Sequence, residues 1–244
     1  MKVSLVIPMY NEEKILPDTM EELSREMERM FGGDYEILYV SDGCTDASEA
    51  LVTSHGQADP RTRLLSYHPN RGKGCAVRTG VCAAQGELVI FTDCDLAYGC
   101  DVIGEFAAYL ENHPDCGVVI GSRSRHPEGY AGYTRTRRWM SRLYLRLLSL
   151  FAGLRQSDSQ SGIKGFRRAA GQEIFGRCET DRFAFDLECL MIARRLGFKI
   201  DEIPVKIERH RPSTIHFFRD TMRMLRDIFR IRRRVGKIPR VESK

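Results

Sequence analysis

Glu87-Leu88-Val89-Ile90-Phe91-Thr92-Asp93-Cys94-Asp95 places a run of apolar residues directly before two carboxylates at i and i+2. A short, continuous apolar run of this kind suits a strand covered on both faces, because it lacks the alternation of a half-exposed one. Residues 3–8, 35–40, 63–67 and 117–120 read the same way. Helical stretches fall between them at 17–30, 47–55, 74–84 and 101–112. Strand and helix thus alternate, which predicts an α/β fold: a doubly wound, mostly parallel sheet flanked by helices, with its ligand at the carboxyl ends of the strands.

The polar motifs lie at those ends. Pro8-Met9-Tyr10-Asn11-Glu12-Glu13 follows the first strand, Ser41-Asp42-Gly43-Cys44-Thr45-Asp46 the second, and Asn70-Arg71-Gly72-Lys73-Gly74 precedes the third helix. The glycines of the last loop allow close backbone approach, and its Arg and Lys suit a phosphate. Neither a dinucleotide fingerprint nor a Walker loop is present. Asp93 and Asp95, beside Ile90, Phe91 and Leu96, are costly to place there unless a cation balances them. Hard ions such as Mg²⁺ or Mn²⁺ take carboxylate oxygens and complete their shell with phosphate oxygens.

Of the 244 residues 42% are hydrophobic and 29% charged, an ordinary globular composition that excludes a disordered or collagen-like chain. The 8 cysteines form no C-x-x-C pair, so a zinc ribbon is not suggested and a reducing compartment is expected. The opening apolar run is too short for a secretory signal, and the best candidate span, 143–154, is short and carries Arg146, so no bilayer crossing is expected.

The net charge of +5 conceals an asymmetry: residues 123–155 carry +7 and residues 209–244 carry +9, which leaves −11 for the rest. An acidic body with two basic segments points to a polyanion. Both segments have helical periodicity. In 134–154, Arg135, Arg138, Arg142 and Arg146 recur apart from Trp139, Leu143, Leu147, Leu150, Phe151 and Leu154. In 215–235, Phe218, Met222, Leu225, Ile228 and Phe229 oppose Arg219, Arg223, Arg226, Arg230 and Arg233. A basic amphipathic helix of this kind suits an anionic membrane surface, or a solvated face on a helix packed on the body. No finger, recognition helix or single-strand signature accompanies the charge, so nucleic acid is not expected.

The four ordered motifs around Pro8, Asp42, Lys73 and Asp93-Cys94-Asp95 resemble glycosyltransferase family 2, which has the GT-A fold. The likeness continues through Gly121-Ser122-Arg123, Asp158-Ser159-Gln160-Ser161-Gly162-Ile163-Lys164 and Phe183-Ala184-Phe185-Asp186-Leu187-Glu188, so it covers roughly residues 3 to 212. The later group looks most like the polyprenyl-phosphate sugar synthases, and among them the dolichyl-phosphate glucosyltransferases rather than the mannosyl ones. The resemblance implies a catalytic domain over 1–212 and a basic amphipathic helix and tail over 213–244. It also implies that Pro8, Tyr10, Glu12, Asp42, Arg71, Lys73 and Asp93 hold the nucleotide, and that Asp93 and Asp95 hold Mg²⁺ or Mn²⁺. Arg123, Asp158, Gln160 and Asp186 join Asp95 as catalytic candidates, and Arg135, Arg138, Arg209, Arg211 and Ser213 face the acceptor. Relatives often carry a lysine before the C-terminal helix, where this chain has Thr214.

The implied reaction is a metal-dependent, inverting transfer of a hexose, with UDP-glucose favoured over GDP-mannose, to a polyprenyl phosphate at the cytoplasmic face of a membrane. A phosphate acceptor is ionised near neutral pH, whereas a hydroxyl acceptor needs Asp158 or Asp186 as base. A soluble saccharide, peptide or small-molecule acceptor is the alternative within the same chemistry. A non-catalytic nucleotide-sugar or membrane-binding module is the alternative of another class, and the intact set Asp93, Asp95, Arg123 and Gln160 argues against it.

Overall fold

The computed structural model describes residues 1–131, 139, 143, 145, 146, 150–209 and 217–240, with the backbone alone at 217–225. The strands are β1 (Val3–Met9), β2 (Tyr35–Asp42), β3 (Thr62–Tyr67), β4 (Leu88–Phe91), β5 (Cys116–Ser122), β6 (Lys164–Arg167) and β7 (Lys199–Pro204). They form one sheet in the order β3-β2-β1-β4-β6-β5-β7, parallel except for β6, which runs antiparallel to both neighbours. The helices are α1 (Leu16–Phe31), α2 (Ser48–Ala58), α3 (Lys73–Ala83), α4 (Asp101–Asn112), α5 (Arg168–Phe175), α6 (Phe185–Arg195) and α7 (Phe217–Val235). The five expected strands and four expected helices are all present.

Successive residues of β1 point to opposite faces of the sheet, and the two faces build two cores. Leu5 and Ile7 join Leu23 of α1, Val52 of α2 and Phe106 of α4. Val6 joins Val77 of α3, Ile174 of α5, Leu190 of α6 and Ile231 of α7. The chain moves from β1 to β2 and β3 on one side, then returns so that β4 pairs with β1 on the other. The switch in direction opens a crevice above the carboxyl ends of β1 and β4, where open α/β sheets place ligands. The two sequence motifs that end those strands therefore meet.

The C-terminal helix packs on the body along its second half, one of the two readings its pattern allowed, though Phe229 is not on the buried face. Ile228, Ile231 and Val235, at i, i+3 and i+7, are buried in the body, whereas Phe229 is 61% exposed. Arg234 turns inward onto the buried Glu188 of α6, and Arg195 donates to the carbonyl of Ile238 at 2.7 Å. This part of the helix is core, because a buried carboxylate and an apolar stripe both need it there. The side chains of Phe218, Arg219, Met222, Arg223 and Leu225, like most of the expected helix over 134–154, lie outside the described residues.

Candidate active site

A cleft of about 550 Å³ opens over the ends of β1, β2 and β4. It gathers Pro8, Tyr10, Glu12, Asp42, Lys73, Asp93 and Asp95, seven of the residues expected at the site, from loops up to 87 positions apart. Its walls also include Asn70, Arg182 and Phe183, and Asp227 of α7. Tyr10 is half exposed at the rim, and Phe183 is 62% exposed at the mouth.

The loop after β1 is held by Asn11, whose φ of 55° lies in the left-handed region that asparagine tolerates better than most residues. Asn11 Oδ1 accepts from the Thr45 N–H at 2.8 Å, and the Glu12 N–H donates to Ser48 Oγ at 2.9 Å. Loops after β1 and β2 are thereby fixed to each other, which sets Tyr10 and Glu12 against the cleft. Asp42, buried at the end of β2, accepts from the Tyr67 hydroxyl at 2.7 Å, Asn70 Nδ2 at 2.9 Å, the Arg71 N–H at 2.8 Å and the Gly72 N–H at 2.8 Å. Its carboxylate shapes the phosphate-suited loop from beneath.

That loop uses its glycines differently from the expectation. A Cβ on Gly72 would come within 2.6 Å of the Asp181 carbonyl, and one on Gly74 within 2.6 Å of Phe185 Cβ. The close approach they permit is that of the segment leading into α6, which brings Arg182 and Phe183 to the cleft. Arg71 turns to Asp181, with Nε at 3.1 Å and an Nη at 2.9 Å, and Arg78 shares the same carboxylate. Arg71 is not part of the cleft lining.

Asp93 and Asp95 sit on the tight turn that follows β4. The turn requires Leu96 at a φ of 49°, a conformation uncommon for a bulky residue, and Leu96 is fully buried. Strain of this kind persists where the surroundings over-determine it, as at ligand sites. The Ala97 N–H donates to Asp95 Oδ1 at 3.2 Å, and the Thr19 hydroxyl donates to the Cys94 carbonyl at 3.0 Å. Asp93 Oδ1 is ion-paired with Lys73 Nζ, while Oδ2 packs against Gly162, where a Cβ would stand 2.2 Å away. Burial disfavours the Lys73 charge, but Asp93 and Asp186 outweigh it and hold its pKa above the ordinary value.

The remaining catalytic candidates lie behind this turn. Arg123 opens a short 3-10 turn after β5 and forms a bidentate pair with the fully buried Asp158, Nε to Oδ2 at 2.7 Å and an Nη to Oδ1 at 2.8 Å. Burial pushes the Asp158 pKa up and the guanidinium more than reverses it, so the carboxyl stays below its ordinary value and is a poor base. Tyr98 lies near the pair: its hydroxyl accepts from the Gly162 N–H at 3.2 Å, and burial pushes its pKa up to about 12 against the pull of Arg123. Asp186 accepts from the fully buried Lys164 at 2.5 Å, and burial raises its pKa against the pull of Lys164 and Lys73. Gln160 lies on the same 158–164 segment. Arg209 is paired with Glu22 of α1 at 2.6 Å, whereas Arg135, Arg138, Arg211 and Ser213 lie outside the described residues.

Several of these groups were given no role by the sequence. Asn11 and Lys164 stand inside the motifs of the resemblance without a part of their own, and Tyr98 lies outside those motifs. The partners of Lys164 and Tyr98 arise because β6 inserts antiparallel between β4 and β5 and carries the 158–164 segment against the Asp93 turn.

Known proteins resemble this chain over most of its length. Dolichyl-phosphate beta-glucosyltransferase of Drosophila melanogaster is 33% identical over 243 residues, which cover 95% of this chain and 74% of the relative. The ALG5A dolichyl-phosphate beta-glucosyltransferase of Trichomonas vaginalis is 36% identical, over 84% of this chain and 65% of the relative. Among solved structures, glucosyl-3-phosphoglycerate synthase from Mycobacterium tuberculosis in complex with Mn²⁺, uridine diphosphate and phosphoglyceric acid superimposes with a TM-score of 0.65 at 20% identity, covering 96% of this chain and 78% of the other. That likeness shows a shared GT-A fold. Residues 4–175 match the family described as Glycosyl transferase family 2. With the motifs, the fold and the relatives in agreement, this chain is a glycosyltransferase and belongs to glycosyl transferase family 2.

Proposed function

We propose that the enzyme transfers glucose from UDP-glucose to a dolichyl-type polyprenyl phosphate, with inversion at the anomeric carbon. The observation that carries the reading is the convergence of Tyr10, Glu12, Lys73, Asp93 and Asp95 on one cleft in a chain whose relatives bear the name dolichyl-phosphate beta-glucosyltransferase. Tyr10 and Glu12 on the rim suit the nucleoside, and Lys73 beside Asp93 suits the diphosphate.

Asp93 and Asp95 fit a hard divalent cation. Among the described residues no group of three or more His, Cys, Asp or Glu is gathered. Two carboxylates in an open cleft leave room for phosphate oxygens and water, as Mg²⁺ or Mn²⁺ requires. Such an ion, when bound, offsets the charge developing on the nucleoside diphosphate as it leaves. Lys73 adds a mobile positive charge to the same end. Arg123 is held to Asp158, and the pair keeps the wall beneath the Asp93 turn in place. An acceptor phosphate arrives ionised, so neither Asp158 nor Asp186 need take a proton.

A peripheral position at the cytoplasmic face of a membrane fits the same reading. No helix among the described residues is long and apolar enough to cross a membrane. All eight cysteines are free. Leu150 is 73% exposed, and Phe151 meets the exposed Phe229 with ring centroids 6.3 Å apart. Arg226, Arg230, Arg232 and Arg233 are exposed on the helix that carries Phe229. Exposed aromatic and aliphatic side chains beside arginines suit an anionic lipid surface.

The test is transfer from radiolabelled UDP-glucose with Mn²⁺ to a short-chain polyprenyl phosphate, read as label extracted into butanol. Label confined to the aqueous phase would overturn the lipid acceptor. Asp95→Asn is expected to lower transfer at least ~100-fold while the melting temperature holds.

A further inference from the structure

We propose that Lys73 is a resident countercation for Asp93 that must leave before a divalent cation binds there, so that the cation enters together with the nucleoside diphosphate and not ahead of it. The inference rests on the metal reading above and adds an order of events to it.

A positive charge already stands beside Asp93. Lys73 Nζ pairs with Asp93 Oδ1, and the nearby Asp186 is paired with Lys164. A dication added to Asp93 with Lys73 in place would set like charges side by side on one carboxylate, which is unfavourable in a partly desolvated site.

One of the two partners must move. Asp93 is the shorter side chain, stands on a turn whose backbone is set by Leu96 at positive φ, and is itself the ligand the cation needs. Lys73 is the first residue of α3, and its four-carbon stem can turn within the cleft that it lines. A diphosphate in that cleft offers the ammonium a new anion and frees Asp93 for the cation. Each ligand then raises the affinity of the other by the same factor.

Mn²⁺ binding to the full chain, followed by electron paramagnetic resonance, tests the order without any turnover. Without nucleotide, Lys73→Met is expected to bind Mn²⁺ about tenfold more tightly than the wild type, whereas Arg71→Met, which removes a cation held on Asp181, stays within about twofold. With saturating UDP the wild type gains affinity, and Lys73→Met gains less. Unchanged or weaker nucleotide-free binding in Lys73→Met overturns the proposal, as does equal tightening in Arg71→Met, which would reflect overall charge alone. A wild type that binds no Mn²⁺ even with UDP would remove the metal reading itself, and this inference with it. Melting curves accompany each variant, and Lys73→Gln serves in place of Lys73→Met if the latter does not fold.

Discussion

Asp93 and Asp158 show how differently two aspartates of one site are legible. Asp93 stood out because a carboxylate directly after an apolar strand needs a local reason, and the reason is local: a turn, a lysine and a cleft. Asp158 had to be judged by its partner, and Arg123, 35 positions earlier, is a partner only because β6 folds back between β4 and β5. The pair has a consequence for stability. The folded pKa of Asp158 is lowered, so the stabilisation it gives is present above the ordinary carboxylate pKa of about 3.9 and is lost as pH falls through the folded value. Arg123→Met leaves a buried carboxylate uncompensated and is expected to cost about 3–5 kcal/mol at pH 7. In that variant the backbone N–H of residue 123 and Lys164 remain, but burial becomes the largest influence on Asp158 and raises its pKa, so the deficit shrinks as pH is lowered and the carboxyl takes up a proton. Urea unfolding of both proteins at pH 7 and pH 5 measures this. A deficit that is equal at the two values would mean that Asp158 is not the group left exposed to burial.

Elements with strong periodicity or unbroken apolar runs were readable, and those built from mixed residues were not. Lys164-Gly165-Phe166-Arg167 and Lys199-Ile200-Asp201-Glu202-Ile203-Pro204 are short and charged, so β6 and the edge strand β7 carry little pattern of their own. The helical period of α7 was plain, but its buried face was not. Phe229 falls on the apolar side of the pattern, whereas Ile231 sits among arginines and has no place in it. The structure reverses them because Glu188 of α6 draws Arg234 inward and turns the Ile228, Ile231 and Val235 stripe onto the body. Ile231→Asp is therefore expected to destabilise the protein by about 3 kcal/mol or more, and Phe229→Asp by no more than about 0.5 kcal/mol. Thermal or urea melts of the two single variants decide the matter. Equal losses would mean that the helix lies on the body in another rotation.

At the scale of the molecule, α7 joins the cleft to the exposed apolar and basic surface. Asp227 lines the cleft, and two residues on, Phe229 stands on the outside against Phe151. A lipid phosphate could thus present its head to the cleft while its chain stays with the bilayer, a geometry that a soluble acceptor does not need. Each arginine near an anionic surface adds roughly 1 kcal/mol, and salt screens it. Flotation with vesicles of mixed phosphatidylcholine and phosphatidylserine should therefore weaken as salt rises. Leu150→Asp with Phe229→Asp should abolish flotation and lower transfer to vesicle-borne polyprenyl phosphate at least ~10-fold, with the melting temperature and UDP affinity of the wild type. The two positions were chosen because both side chains face solvent, so lost binding cannot be traced to lost folding. A double variant that still floats and still transfers would show that the patch is ordinary solvated surface and that the acceptor reaches the cleft by another side.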